Sequence, residues 1–336
     1  VKIAWYFNNA RGRPKKKKII ARQKAYHGTT VAAASLSGLG VFHADFDLPI
    51  ARVLHTDCPH YWRNGEDGEG EEAYATRLAR NLEDLIEREG PETIAAFIAE
   101  PVMGAGGVLM PPATYFQKVQ AVLQRHDIAF IADEVICGFA RTGNWWGSQT
   151  FEMSPTTVTM AKAITSAYVP MGALTVPDNV YEALVETSGQ HGVFAHGFTY
   201  SGHPLACAVA LKTLEIYERI DIVGHVRRVS PVFQTRLRAL AAHPLVGEAR
   251  GVGLIGGLEL VRDKSSKASF EPKLGVGARA ARFAEEEGVL CRAVGGDTIG
   301  LCPPLVIDGA EINILFDAVS RALDRTEVWA RAEGYL

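Results

Sequence analysis

Several features that settle a protein's class at a glance are scarce here. Cysteine is one: five residues in 336 (Cys58, Cys137, Cys207, Cys291 and Cys302), odd in number, scattered, and never spaced C-x-x-C. That pattern excludes a disulfide framework and fits reduced thiols in a cytosolic protein. Excess charge of one sign is also missing, since 35 Lys and Arg face 38 Asp and Glu for a net charge of −3. Bulk electrostatic attraction to nucleic acid or to a membrane surface is therefore not available. No apolar run reaches the roughly 20 residues that a membrane span needs. Internal repeats and long low-complexity tracts are absent, so solenoids and flexible tethers drop out.

What is present is an ordinary globular composition, 47% hydrophobic and 22% charged, which rules out disorder. A chain this long buries a large core and usually makes two domains. Residue 1 is Val, and Ala4 to Phe7 read as the middle of an amphipathic helix. We therefore expect the natural N-terminus to lie upstream, and the lack of a signal peptide carries little weight.

Short apolar runs alternate with amphipathic stretches over the first two thirds. Ile19 to Ala21 and Val53-Leu54 are short apolar runs, and Leu78, Leu82, Leu85 and Ile86 recur at helical spacing before Gly90-Pro91 stops them. Ile94 to Ala99, Ile128 to Ala132 and Thr157 to Ala161 are buried-strand candidates, with a helix through Tyr115, Val119, Val122 and Leu123 between the first two. Strands alternating with helices imply crossover connections and a mainly parallel sheet covered on both faces, an α/β domain. After Tyr200-Ser201-Gly202, Pro204 opens a long helix. Beyond Ile222 we expect a helix, a Gly-rich strand over Gly251 to Val261, a helix over Ala278 to Glu287, short strands near Leu290 and Ile299, and a terminal helix from Glu311. The expected organisation is a large domain at 1–202, a connecting helix at 203–221 and a smaller α+β domain at 222–336.

The most informative feature is where the charges fall. Glu100, Asp133 and Lys162 each end an apolar run. In an open α/β sheet, ligands collect outside the carboxyl ends of the strands. Any one of these charges alone reads as a strand end reaching solvent. Together they form a lysine and two carboxylates that could converge on a cationic ring, a metal or a carbonyl. A partly desolvated lysine acts as an amine nucleophile toward carbonyls. A carboxylate opposite a pyridine nitrogen keeps it protonated. Those are the demands of a pyridoxal phosphate site.

Five blocks carry a resemblance: Tyr26-His27-Gly28; Ala99-Glu100-Pro101-Val102; Ile131 to Val135 with Gly138 to Gly143; Ala161 to Ser166; and His196 to Pro204. In this order the chain resembles class III aminotransferases, most closely their ω-amino acid and amine:pyruvate branch. The resemblance implies fold type I, pyridoxal 5'-phosphate as cofactor, and transamination by a ping-pong route through a Lys162 Schiff base. By the same resemblance Asp133 pairs with the ring nitrogen, Val135 and Tyr26 pack on its two faces, and Glu100 supports Asp133 and the ring's polar edge. Thr199 is similar to the threonine that reaches the cofactor phosphate of a neighbouring subunit, which implies a homodimer with shared sites, or a higher oligomer built from it. Arg292 resembles a mobile arginine that binds a substrate carboxylate, a task suited to a guanidinium.

There are departures. The family's Ser-Gly-Ser/Thr phosphate-binding stretch belongs just upstream of Val1, as does a segment that shapes the substrate pocket, and Ala163 stands where the family has Gly. The same scaffold also serves aminomutases and racemases, which form no new oxo product. A catalytically silent binding protein is the alternative from another class, and retention of Lys162, Asp133 and Tyr26 argues against it.

Other motifs are set aside. Gly251 to Gly256 is a formal G-x-G-x-x-G, but a dinucleotide fingerprint needs a strand before it and a helix after it. His55, Cys58 and His60 match no zinc spacing, and no metal is expected. His191, His196 and His203 read as structural or pocket-lining. Lys15 to Lys18 reads as a solvated turn. Trp145-Trp146 fit either a substrate entrance or plain packing.

Overall fold

The computed structural model describes all 336 residues, Val1–Leu336. A six-stranded sheet contains β1 (Lys18–Arg22), β2 (Val53–Thr56), β3 (Ile94–Ala99), β4 (Ala129–Asp133), β5 (Thr157–Met160) and β6 (Ala173–Leu174), in the order β2-β1-β3-β4-β5-β6. The first five are parallel, and β6 runs antiparallel to β5. Strand alternation divides the core in two. Ile20, Phe97, Ala99, Phe130 and Ala132 face the helices Glu71–Glu89 and Tyr115–Arg125. Ile19, Ala21, Ala96, Ile98 and Ile131 face the other side. Both faces are covered, which is why β3 is apolar at every position and buried throughout. The helix Glu71–Glu89 carries Glu71 and Glu72 in its first turn and ends at Gly90, whose φ of +86° favours glycine.

The helix Pro204–Arg219 starts with Pro in its first turn, where no N–H is missed. A four-stranded antiparallel sheet follows, made of β7 (Val246–Val252), β8 (Ile255–Leu260), β9 (Arg292–Val294) and β10 (Thr298–Leu301), in the order β7-β8-β10-β9. The helices Ile222–Ala239, Val276–Glu286 and Gly309–Ala332 supply much of the core packed with it. This is the α/β architecture expected, with a mostly parallel sheet and a small antiparallel one.

Two expectations are corrected and two elements are added. Gly251 to Val261 is not one strand: Gly253, at φ +57°, turns the chain so that β7 and β8 form a hairpin. Strand, turn, strand closes the dinucleotide reading, and a Cβ at Gly251 would meet the Ile255 carbonyl oxygen at 2.4 Å. The helix Asp178–His191 and strand β6 were not anticipated. Of Lys15 to Lys18, only Lys15 is an exposed turn residue. Lys16 is 7% exposed and donates to Asp127, Lys17 donates to Asn9 at 2.7 Å, and Lys18 pairs with Glu89 at 2.8 Å.

Candidate active site

Parallel strands deliver their last residues to one edge, and the register sets which lie side by side. Ala99 pairs with Ala132 and Asp133 with Thr159. Glu100 and Asp133 therefore end adjacent strands, and Lys162 lies three residues beyond the partner of Asp133. The Tyr26-His27-Gly28 loop follows β1, the strand on the other side of β3.

Asp133 is 5% exposed. Its Oδ1 accepts the Val135 N–H at 3.1 Å, and its Oδ2 lies 2.7 Å from His27 Nδ1. An ionised carboxylate only accepts, so the network assigns the proton to Nδ1. The His27 ring is itself buried, its backbone N–H donates to Ser37 Oγ at 2.9 Å, and its Nε2 has no partner. Glu100, at 4% exposure, accepts the N–H of Tyr26 at 3.1 Å and of Gly104 at 3.0 Å. Burial pushes the Glu100 carboxyl above the usual range; the Asp133 charge adds to this and the His27 ring opposes it. Tyr26 is half-buried with its ring 5.2 Å from Phe42, and Val135 is half-buried too.

Lys162 is exposed and opens a tight turn, Lys162–Thr165, at φ +49°. A non-glycine residue in the left-handed region is strained and persists where surroundings hold it. Here Tyr217 donates to the Ala163 carbonyl at 2.9 Å and Thr165 to the Val169 carbonyl at 2.7 Å. Thr199 and Arg292 are not drawn into the hydrogen-bonded group. Thr199 sits in an exposed stretch between Phe198 and Tyr200, which are 82% and 77% exposed, and Arg292 begins edge strand β9, also exposed.

A model of the aminotransferase class-III family matches residues 1–323. The chain belongs to the class-III aminotransferase family. "Gamma aminobutyrate transaminase 1, mitochondrial" of Solanum lycopersicum is 55% identical over 327 residues, covering 97% of this chain. The chain spans 63% of that relative's length. A solved transaminase with L-alanine superposes with a TM-score of 0.95 at 53% identity, over 97% of this chain and 77% of its own. The omega transaminase from Pseudomonas jessenii in complex with PMP does so with a TM-score of 0.95 at 48% identity, over 98% and 72%.

The chain's own donor set fits pyridoxal phosphate. A buried carboxylate is held by two donors, half-buried Tyr26 and Val135 lie on the loops that follow β1 and β4, and a primary amine stands near the end of the next strand. Two residues of this neighbourhood escaped sequence reasoning. His27 was visible only as part of a motif, because its partner lies 106 residues away. Glu134, wholly buried, accepts the N–H groups of Gly147 at 2.9 Å and Ser148 at 2.6 Å and so closes the loop after Asp133. That closure seats Trp146 against Phe139, ring centroids 5.0 Å apart, and both tryptophans pack on the core.

Proposed function

We propose that this aminotransferase moves an amino group from an ω-amino acid or amine to pyruvate or a related oxo acid, using pyridoxal phosphate. The observation that carries the reading is the buried Asp133 carboxylate, fixed by His27 and the Val135 N–H, one strand from the exposed Lys162 amine.

Bound pyridoxal phosphate supplies an electron sink for the charge left when a proton departs the substrate carbon. Asp133 keeps the ring nitrogen protonated by charge pairing. His27 holds Asp133 in the orientation that this pairing needs, while Tyr26 and Val135 offer flat and aliphatic surfaces for the two ring faces. Lys162 Nζ would take the proton from the substrate carbon and hold it for return. Glu100 supports the backbone on which Tyr26 rides. Arg292 meets an oxo-acid carboxylate with two parallel N–H donors and swings clear for amines that have none.

The γ-aminobutyrate named for the tomato relative makes an ω-amino acid the donor of choice, and the L-alanine of the solved transaminase is the amino product of pyruvate. We read 1–202 as the cofactor domain, 203–221 as a connector and 222–336 as the smaller domain. Phe198 and Tyr200 beside Thr199, and Leu205 and Leu211 on the helix that follows, are at least 61% exposed, and burying them against a second copy supports a homodimer with shared sites. Five free thiols support a reducing compartment such as the cytosol, although the tomato relative's name is mitochondrial, and no helix is long and apolar enough to cross a membrane.

The test supplies cofactor, γ-aminobutyrate and pyruvate and measures alanine. We expect alanine from the wild type and none from Lys162→Ala, which still binds the cofactor without a covalent link. Turnover close to normal in Lys162→Ala, or no alanine from cofactor-loaded wild type, would end the reading.

A further inference from the structure

Away from Asp133, a buried charge cluster ties the small sheet to the large domain. Arg250, on β7, is 6% exposed, and all three of its guanidinium nitrogens are engaged. Nε donates to the carbonyls of Gly107 and Val108, both at 3.1 Å, and Nη2 donates to Gly107 at 2.6 Å and to Thr298 Oγ1 at 3.3 Å. Nη1 bridges the carboxylates of Glu248 and Glu259, the latter at 2.6 Å. Around them His60 Nε2 meets Glu248 at 2.7 Å and Arg63 Nε meets Glu259 at 2.7 Å. His60, Glu248 and Glu259 bring ligand atoms within 4.8 Å of one another. Both carboxylates are already taken by Arg250, however, so the central cation of this cluster is a guanidinium.

The cluster's outlet is a contact of glycines. Gly104 to Val108 form one turn, held at its first N–H by Glu100 and at its last carbonyls by Arg250. A Cβ on Gly106 would meet the Lys24 carbonyl oxygen at 2.2 Å, and a Cβ on Gly295 would meet the Gly106 oxygen at 2.1 Å. Gly295, at φ +59°, lies in the turn of the β9–β10 hairpin, and Arg292 starts that hairpin. On the far side of the turn, Asp297 accepts the Gly277 N–H at 2.7 Å. The turn is thus gripped on both sides.

We propose that Arg250 is a positioning residue for oxo-acid recognition: it locks the Gly104–Val108 turn against the Gly295 hairpin, so that Arg292 moves as a side chain on a fixed strand. The proposal rests on the transamination reading above, which gives Arg292 a carboxylate to bind. A guanidinium in this place reaches five acceptors from one plane, and an ammonium cannot.

The test compares the cofactor-loaded wild type with Arg250→Met, Arg250→Lys and Gly295→Ala. It measures KM for pyruvate, KM for a carboxylate-free amine, and amide hydrogen exchange. In Arg250→Met we expect the pyruvate KM to rise about tenfold, as a misplacement near 1 Å can cost more than that, with the amine KM nearly unchanged. Exchange rises in peptides spanning 104–108 and 292–298 but not in Glu71–Glu89. Arg250→Lys recovers part of the loss. Gly295→Ala presses on the same turn from the hairpin side while Arg250, Glu248 and Glu259 keep their side chains, and gives the same split, so it and Arg250→Lys decide the matter where Arg250→Met does not fold. Equal losses on both substrates, or an unchanged pyruvate KM, overturn the proposal. A wild type that makes no alanine sinks the transamination reading instead; exchange then decides, and an unchanged 292–298 peptide overturns the link.

Discussion

Replacing Glu100 by Gln tests how the site's floor is held. The wild-type carboxylate accepts two backbone N–H groups, from Tyr26 at 3.1 Å and Gly104 at 3.0 Å. Glutamine keeps one acceptor and turns an NH2 toward the other N–H. A hydrogen bond to a charged group contributes about 1.5–3 kcal/mol, and leaving a buried donor unmet costs about as much. Removing a buried negative charge beside Asp133 offsets part of this, so we expect a net loss of about 1–2 kcal/mol. At roughly 2 °C per kcal/mol for a large chain, the unfolding midpoint falls by about 2–4 °C. The pH dependence sharpens the test. Burial, with the Asp133 charge adding to it, raises the folded-state pKa of Glu100 above its unfolded value. Such a carboxyl binds its proton more tightly when folded, so its contribution is complete below the unfolded pKa and is lost as pH rises through the folded one. The Glu100→Gln penalty is therefore larger at pH 5 than at pH 8. Thermal unfolding at one fixed scan rate and both pH values measures it. A penalty that grows toward pH 8, or no penalty at either, refutes the assignment of Glu100 as a buried bracket.

Three further outcomes are expected. His27→Ala removes the one side-chain partner of Asp133, and cofactor affinity falls about 10- to 100-fold by the loss of one charge-assisted bond; a cofactor titration with unchanged affinity contradicts this. Arg292→Ala raises KM for pyruvate while sparing carboxylate-free amines, and steady-state kinetics showing equal damage to both removes its role. Burial holds His60 below its ordinary pKa against the opposing pull of Glu248. The unfolded chain then binds the extra proton first, and stability drops as pH falls below about 6.5. His60→Gln flattens that acid limb between pH 7.5 and 5.5, and an identical limb in the variant counts against the cluster as its source.

The class of fold was legible because burial on two faces demands continuous apolar runs, and Ile94–Ala99 has no other use for six such residues in a row. The strand-end charges were legible for the same reason: Glu100, Asp133 and Lys162 stand out against the runs they terminate. Local reading failed where a strand carries glycine and turns on itself, as at Gly253, and where a strand is only two residues long, as at β6. It failed for Lys16 because a run of lysines looks solvated until Asp127, far along the chain, is folded onto it.

Residue order alone thus determined the layers, the strand ends and the chemistry that those ends can host, since periodicity and charge placement are properties of neighbours in sequence. Tertiary structure decided which of those charges are held and by whom. His27 reaches Asp133 across 106 residues, and Arg250 reaches Gly107 across 143. Hydrogen bonds of 2.6–3.1 Å between buried groups depend on register, turn geometry and the close approach of glycines, and no local pattern encodes a contact made only when distant strands pack.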